Sequence, residues 1–281
     1  MYIIFDIGGT KMRIARSRDG HTFDEPTILS TPKDFDDGVA VFVRVARELA
    51  AGERISAVAG GIAGPLSRDK RMLINSPHLH GWIEKPFAAA IEQELSAPLR
   101  LENDTAVVGL GEAIAGAGQG HAIVAYLSIS TGVGGARIVD GKVDVATYGF
   151  EPGHQIIDAG GGLALENEPP FPGRTLEAYV SGSSVTERYG KQPYEITDPA
   201  FWDRMARLLA FGVNNIIVHW SPSIVVIGGS MMKTVGIPID RVEAYVNGIT
   251  HIYPELPPIV HSELGDVGGL HGALALARGT G

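Results

Sequence analysis

Short apolar runs alternate along this chain with longer stretches in which apolar residues recur every three or four positions. "YIIFD" and "KMRIARS" are two such runs, separated by "IGGT" and closed by Asp19-Gly20, which predicts a strand, a tight glycine turn and a second strand. From Asp37 to Ala51 the apolar residues Val39, Phe42, Val43 and Ala46 stand at helical spacing. "RISAVAGGIAGP" reads as a buried strand entering a loop, "IEKPFAAAIEQEL" as an amphipathic helix, "LRLEND" as a strand ending on polar residues, and "TAVVGLGEAIAGA" as a helix. "HAIVAYLSISTGVGGARIVDGKV" then repeats the N-terminal plan of strand, glycine turn, strand and Asp-Gly turn, so two related halves are expected. "FWDRMARLLAFGVNNIIVHW" is a long helix with Leu208, Phe211 and Asn215 at helical spacing. "SIVVIGGS" is a buried strand, and "GGLHGALALA" is a small-residue helix suited to close packing. Strands alternating with helices predict α/β architecture.

Composition narrows the classes. With 281 residues, 44% hydrophobic and 20% charged, the chain buries a substantial core and is not a disordered polymer. Its apolar runs are shorter than the about 20 residues a membrane span needs, and no basic leader with a cleavage site follows Met1, so a cytoplasmic protein without membrane contact is expected. The net charge of -9 and scattered basic residues argue against nucleic-acid binding, which needs a basic stripe against the phosphates. There is no cysteine, hence no disulfide and no thiolate metal ligand. Fourteen of the 37 glycines gather in "DIGGTK", "STGVGG", "DAGGGL", "VIGGS" and "GDVGGLHGA", where backbone would bend sharply or approach a ligand.

Each candidate motif has a plain reading beside a chemical one. "DIGGTK" is neither a P-loop nor a dinucleotide fingerprint, because a strand rather than a helix follows it. It is either an ordinary hairpin or an anion-binding nest, with the hydroxyl of Thr10, the cation of Lys11, and Asp6 placed to hold magnesium through water. "STGVGG" carries the same pair of readings, and "VIGGS" is either a simple strand-to-helix turn or a third backbone approach to a ligand. In "LEND", Asn103 and Asp104 are either helix caps or a base with an amide neighbour that fixes a substrate hydroxyl. "EPGH" sets Glu151 three residues before His154, half of a metal site or half of a sugar site.

In order and spacing these elements resemble the ROK family of sugar kinases, a family that also holds transcriptional repressors. "FDIGGTK" and "STGVGGARIVDGKV" resemble its two phosphate loops. "GGIAGPL" and "NSPHLHGW" resemble its sugar-side loops, and "LENDTAVVGLGEA" the segment of its catalytic aspartate. "GFEPGH" is similar to its ExGH sugar motif, "TLEAYVSG" to a further sugar segment, and "SPSIVVIGGS" to its adenosine-side loop. The resemblance implies an actin-like ATPase (ribonuclease H-like) fold, with two α/β domains around a central cleft. Residues 1–106 plus 268–281 would form the small domain and residues 107–267 the large one. It implies Asp104 as general base for the sugar 6-hydroxyl, and Gly64, Asn75, Asn103, Glu151, His154 and Glu177 around the sugar. Asp6 would serve magnesium. Gly8, Gly9, Thr10, Lys11, Thr131, Gly132, Gly134, Gly135, Gly228, Gly229 and Ser230 would hold ATP.

One departure stands out: many members carry a cysteine-rich zinc segment after the ExGH motif. Here that interval reads "QIIDAGGGLALENEPPFPGR", which predicts no zinc and a loop ordered by prolines and packing. The expected function is ATP-dependent phosphorylation of a hexose, with glucose first and N-acetylmannosamine or N-acetylglucosamine as alternatives. Pocket loops around Gly64, Asn75 and His80 decide among them. A homodimer is implied. A repressor reading would need a helix-turn-helix before Tyr2, and a non-catalytic sugar binder would not need Asp104. Polyphosphate is the alternative donor.

Overall fold

The structure, a computed structural model, describes residues 1–163, 173–233 and 235–279. It forms two units, the first from residues 1–120, 141–149 and the return segment beginning at Leu264, the second from residues 121–140 and 150–263.

In the first unit, the paired apolar runs become β1 (Tyr2–Ile7) and β2 (Lys11–Ser17), antiparallel, with β3 (Thr27–Ser30) beside β2. Helix α1 (Phe35–Ala50) starts two residues before the expected Asp37, because Asp34 caps it by accepting from the backbone N–H groups of Asp36 and Asp37. Strand β4 (Ala57–Ile62) pairs parallel with β1. Helix α2 (Phe87–Leu95) begins later than the pattern from Ile83 suggested. Glu84 sits at φ 59° and Pro86 lacks an N–H, so the chain cannot enter a helix before that proline. Strand β5 (Leu99–Asn103) and helix α3 (Asp104–Ala115) follow, giving the sheet order β3-β2-β1-β4-β5.

Strand alternation decides what faces where. Ile3, Phe5 and Ile7 join Phe42, Trp82 and Phe87 in one buried cluster, with Phe5 and Phe42 edge to face at 5.2 Å. Ile4 joins Val107, Leu270 and Ala273 in another, between the sheet and the C-terminal helix (Gly268–Arg278). Asp6 shares the parity of Ile4 and therefore faces that helix. The small residues predicted for close packing do so directly: a Cβ on Gly272 would lie 1.8 Å from the Val107 carbonyl oxygen, and one on Gly111 2.2 Å from that of Gly268. Backbone contact at that range ties the whole of α3 to the returning helix.

In the second unit β6 (Ile123–Ile129) and β7 (Val133–Val139) repeat the N-terminal hairpin. Strand Ile224–Gly228 pairs parallel with β6, and strand Ile259–His261 pairs parallel with it in turn. The helices are α4 (Leu176–Val180), α5 (Gly182–Tyr189), α6 (Pro199–Trp220) and α7 (Ile239–Ile249). Helix α6 opens on Asp198 as cap and Pro199 in its first turn, and buries Leu208, Leu209, Val213 and Ile216 against β6 and its neighbours. Among the described residues no helix is long and apolar enough to cross a membrane.

Candidate active site

The first phosphate-loop candidate is a tight turn between β1 and β2, closed by Gly8 N–H donating to the Lys11 carbonyl at 2.9 Å. Neither Gly8 nor Gly9 has positive φ, so conformational freedom is not what these glycines supply. Gly9 is there for space: a Cβ would stand 2.3 Å from that of His78. The carbonyls of Gly8 and Gly9 accept from Thr31 Oγ1 at 2.8 Å and Lys33 Nζ at 3.0 Å. Their negative ends are thereby neutralised, one by a cation, which favours an anion at the turn. Thr10 and Lys11 are exposed on it.

Asp6 lies at the end of β1, and Arg13, its cross-strand partner on β2, reaches it at 3.3 Å while also meeting Asp266 at 3.7 Å. Burial, then the neighbouring charge of Asp104, push the Asp6 carboxyl up to about 6 against the pull of Arg13. A carboxylate whose ionisation is opposed by burial and by a neighbouring carboxylate is a group that a cation would relieve, so Asp6 suits magnesium.

Asn103 and Asp104 satisfy both readings of "LEND". Asn103 caps α3, its Oδ1 accepting from Ala106 N–H at 3.1 Å, while its Nδ2 donates to the Gly64 carbonyl at 3.1 Å. Gly64 sits at φ +133° with the Asn75 carbonyl 2.4 Å from where a Cβ would be, so only glycine fits there. Asp104 opens α3 over Gly61, whose Cβ would stand 2.8 Å from the Asp104 Cα. Burial raises the Asp104 carboxyl, opposed by a hydrogen bond from Thr105 N–H at 2.8 Å and the nearby His78. Buried Ser76 folds the "NSPHLHGW" loop, donating to the Ala63 carbonyl and accepting from Leu79 N–H, and leaves Asn75, His78 and His80 exposed.

In the second unit the ExGH turn, Pro152–His154, packs directly on the second glycine hairpin. A Cβ on Gly153 would fall 2.1 Å from the Val133 carbonyl oxygen. Glu151 and His154 flank this contact and are exposed. Glu177, in the first turn of α4, accepts from Val133 N–H at 2.8 Å, and Gly132 leaves room for its carboxylate. The three sugar-motif residues and the Thr131–Gly135 hairpin therefore form one cluster. Gln155, which the sequence did not flag, fastens it: its Nε2 donates to the Pro152 carbonyl at 2.8 Å and its Oε1 accepts from Asn215 of α6 at 2.9 Å.

The hairpin also meets the "VIGGS" loop. Ser230 N–H donates to Ser130 Oγ at 3.2 Å, and Gly229, at φ +102°, passes against the Ile129 carbonyl, next to Gly228. A cavity of about 790 Å³ opens here, lined by Thr131, Gly182, Ser183, Tyr194, Ser230 and Met231 among others, and is large enough for a nucleotide. The "DAGGGL" cluster is held by its own first residue. Asp158 organises it by accepting from three backbone N–H groups.

Of the residues missed, Arg13 had a signal, because hairpin register alone pairs it with Asp6. Ser76, Gln155 and the Glu177–Val133 bond had none, since their partners come from the folded chain. Among the described residues no group of three or more His, Asp or Glu is arranged to hold a metal ion. Pro169, Pro170 and Pro172, expected to order the loop after the ExGH motif, lie outside the described residues.

Three relatives frame the identity. An N-acetyl-D-glucosamine kinase of Escherichia coli O127:H6 is 30% identical, covering 98% of this chain and 99% of its own. The crystal structure of a ROK hexokinase from Thermus thermophilus superposes with a TM-score of 0.80 at 26% identity, covering 99% of this chain and 97% of that one. A ROK family glucokinase from Streptomyces griseus, crystallised with glucose and AMPPNP, has a TM-score of 0.78 at 22% identity and covers 99% of each chain. These likenesses bear out the α/β, actin-like ATPase fold class. The ROK family profile matches residues 2–280, and the chain belongs to the ROK family.

Proposed function

We propose that the protein is a sugar kinase that transfers the γ-phosphoryl group of ATP to the 6-hydroxyl of a hexose, with glucose the first acceptor. The observation that carries this is Asp104, a carboxylate raised by burial at the head of α3, in the same unit as the Asp6 turn. A raised carboxylate is a stronger base once ionised. Its oxygen would take the proton of the sugar O6–H as that oxygen bonds to the γ-phosphorus and the bond to the β–γ bridging oxygen breaks, leaving ADP. Asn103 and the Gly64 loop would orient the acceptor, with Glu151, His154 and Glu177 on its other hydroxyls. The two glycine hairpins would cradle phosphates, and the cavity at Ser230 would take the nucleoside. Magnesium held by Asp6 would neutralise charge on the phosphates.

An N-acetylhexosamine is the second acceptor, supported by the kinase at 30% identity. A homodimer in the cytoplasm belongs to the same proposal, and light scattering on the purified protein reads the assembly. The deciding experiment is coupled ADP release with ATP over glucose, mannose, fructose, allose, N-acetylglucosamine and N-acetylmannosamine. Turnover on one of these supports the proposal; silence on all of them with ATP contradicts it, and turnover with polyphosphate alone would replace the donor.

A further inference from the structure

We propose that Asp158 is a positioning residue of the sugar-binding cluster: its buried carboxylate ties the segment behind His154 to the helix that carries Glu177. This rests on the sugar-kinase reading above. Asp158 is only 5% exposed. Its Oδ1 accepts from Gly161 N–H at 2.7 Å and Gly162 N–H at 3.0 Å; its Oδ2 accepts from Leu163 N–H at 3.1 Å and from the Tyr179 hydroxyl at 2.5 Å. A carboxylate this buried is costly unless its lone pairs are filled, and four donors fill them.

The tie spans the two parts of the sugar cluster. Asp158 lies four residues after His154, and Tyr179 lies two after Glu177 on α4. Between them the backbone pairs both ways, Leu176 N–H to the Gln155 carbonyl at 2.9 Å and Ile157 N–H to the Arg174 carbonyl at 3.0 Å. Arg174 adds a hydrogen bond to the Ala159 carbonyl. The glycines here pack on little of their own: a Cβ on Gly160 or Gly162 would meet nothing within 4 Å, so the segment is held by hydrogen bonds, those to Asp158 and that of Arg204 to the Leu163 carbonyl at 2.8 Å. A run of bare glycines loses much entropy on ordering, and one charge with four donors offsets that cost. The chemistry agrees: the Tyr179 hydroxyl, then the backbone amides, hold the Asp158 carboxyl below its ordinary range, and burial with that hydrogen bond pushes Tyr179 up to about 12. The tie therefore persists across the working pH range.

The test uses the full chain with Asp158→Asn and Tyr179→Phe, each assayed with ATP and the accepted hexose, and each followed by amide hydrogen exchange. Asp158→Asn should raise the sugar KM about tenfold or more, because a displaced binding group costs orientation. Its kcat should hold within about threefold, the nucleotide KM should be unchanged, and exchange should accelerate over residues 154–163. Tyr179→Phe, one hydroxyl smaller, should shift the same quantities less, and it carries the test if the asparagine variant does not fold. Wild-type sugar KM in a folded variant, or an equal rise in both substrates' KM, overturns the proposal. Wild-type protein silent on every sugar would instead remove the kinase reading. The exchange arm still reads the tie in that case, and unchanged protection overturns it.

Discussion

The two units invest their carboxylates in opposite ways. In the first, Asp6 and Asp104 are part-buried and both are raised, so each resists the charge it carries. In the second, Asp158 is little exposed yet is lowered, because four donors meet it. Burial opposes ionisation in both, but it is the largest cause at Asp6 and Asp104, whereas at Asp158 the hydrogen bonds from Tyr179 and the backbone outweigh it. The lesson is a division of labour: carboxylates left short of donors suit proton transfer and cation binding, while a saturated one suits holding other groups in place.

The largest test of that division is Asp104→Asn. It should lower kcat by about a thousandfold, within the range for loss of a general base, and leave sugar affinity within a few-fold by calorimetry. Near-normal turnover would remove Asp104 as the base.

Next is Asp6→Asn, read as stability by urea unfolding in metal-free buffer. A carboxyl raised from 3.8 to about 6 destabilises the fold once ionised, by about 3 kcal/mol at 1.36 kcal/mol per unit, so the neutral amide should be the more stable form at pH 8. The gain should be full above about 6, shrink as pH falls through that value, and vanish below the ordinary carboxylate range. A destabilised variant at pH 8 would mean that the Arg13 pair outweighs burial. The same variant should lose most activity.

His154→Ala sharpens the other side. Losing one hydrogen bond to a sugar hydroxyl should raise the sugar KM by roughly tenfold, since such a bond contributes about 1–1.5 kcal/mol, with kcat little changed. A fall in kcat without a change in KM would place His154 in the chemistry instead. The smallest effect is on the pH profile. kcat should decline on the acid side at a pH above the ordinary carboxylate range, because Asp104 must be ionised to accept a proton and burial raises it. A limb at the ordinary position would show that substrate removes the raising effect.

Much of this plan is legible in the sequence, because local pattern carries it. Short apolar runs around glycine turns give both hairpins, helical spacing gives α1 and α6, and a run of small residues gives the C-terminal helix. The Asp6–Arg13 pair follows from hairpin register. What is not legible depends on distant partners. Glu177 meets Val133, 44 positions away, and Asp158 meets Tyr179, 21 away, through packing that no window of sequence contains. The glycines mislead in an instructive manner. Clusters suggest sharp bends and ligand contact, yet Gly9, Gly153 and Gly272 serve to let another backbone or side chain come close, and only some, such as Gly64 and Gly229, need positive φ.

The most direct measurement is identification of the product. With ATP and the accepted hexose, phosphorus–proton correlation NMR should show one ester phosphate coupled to the two protons on C6, formed in step with ADP. Phosphate on the anomeric oxygen, or ADP with no sugar ester, would contradict transfer to the 6-hydroxyl.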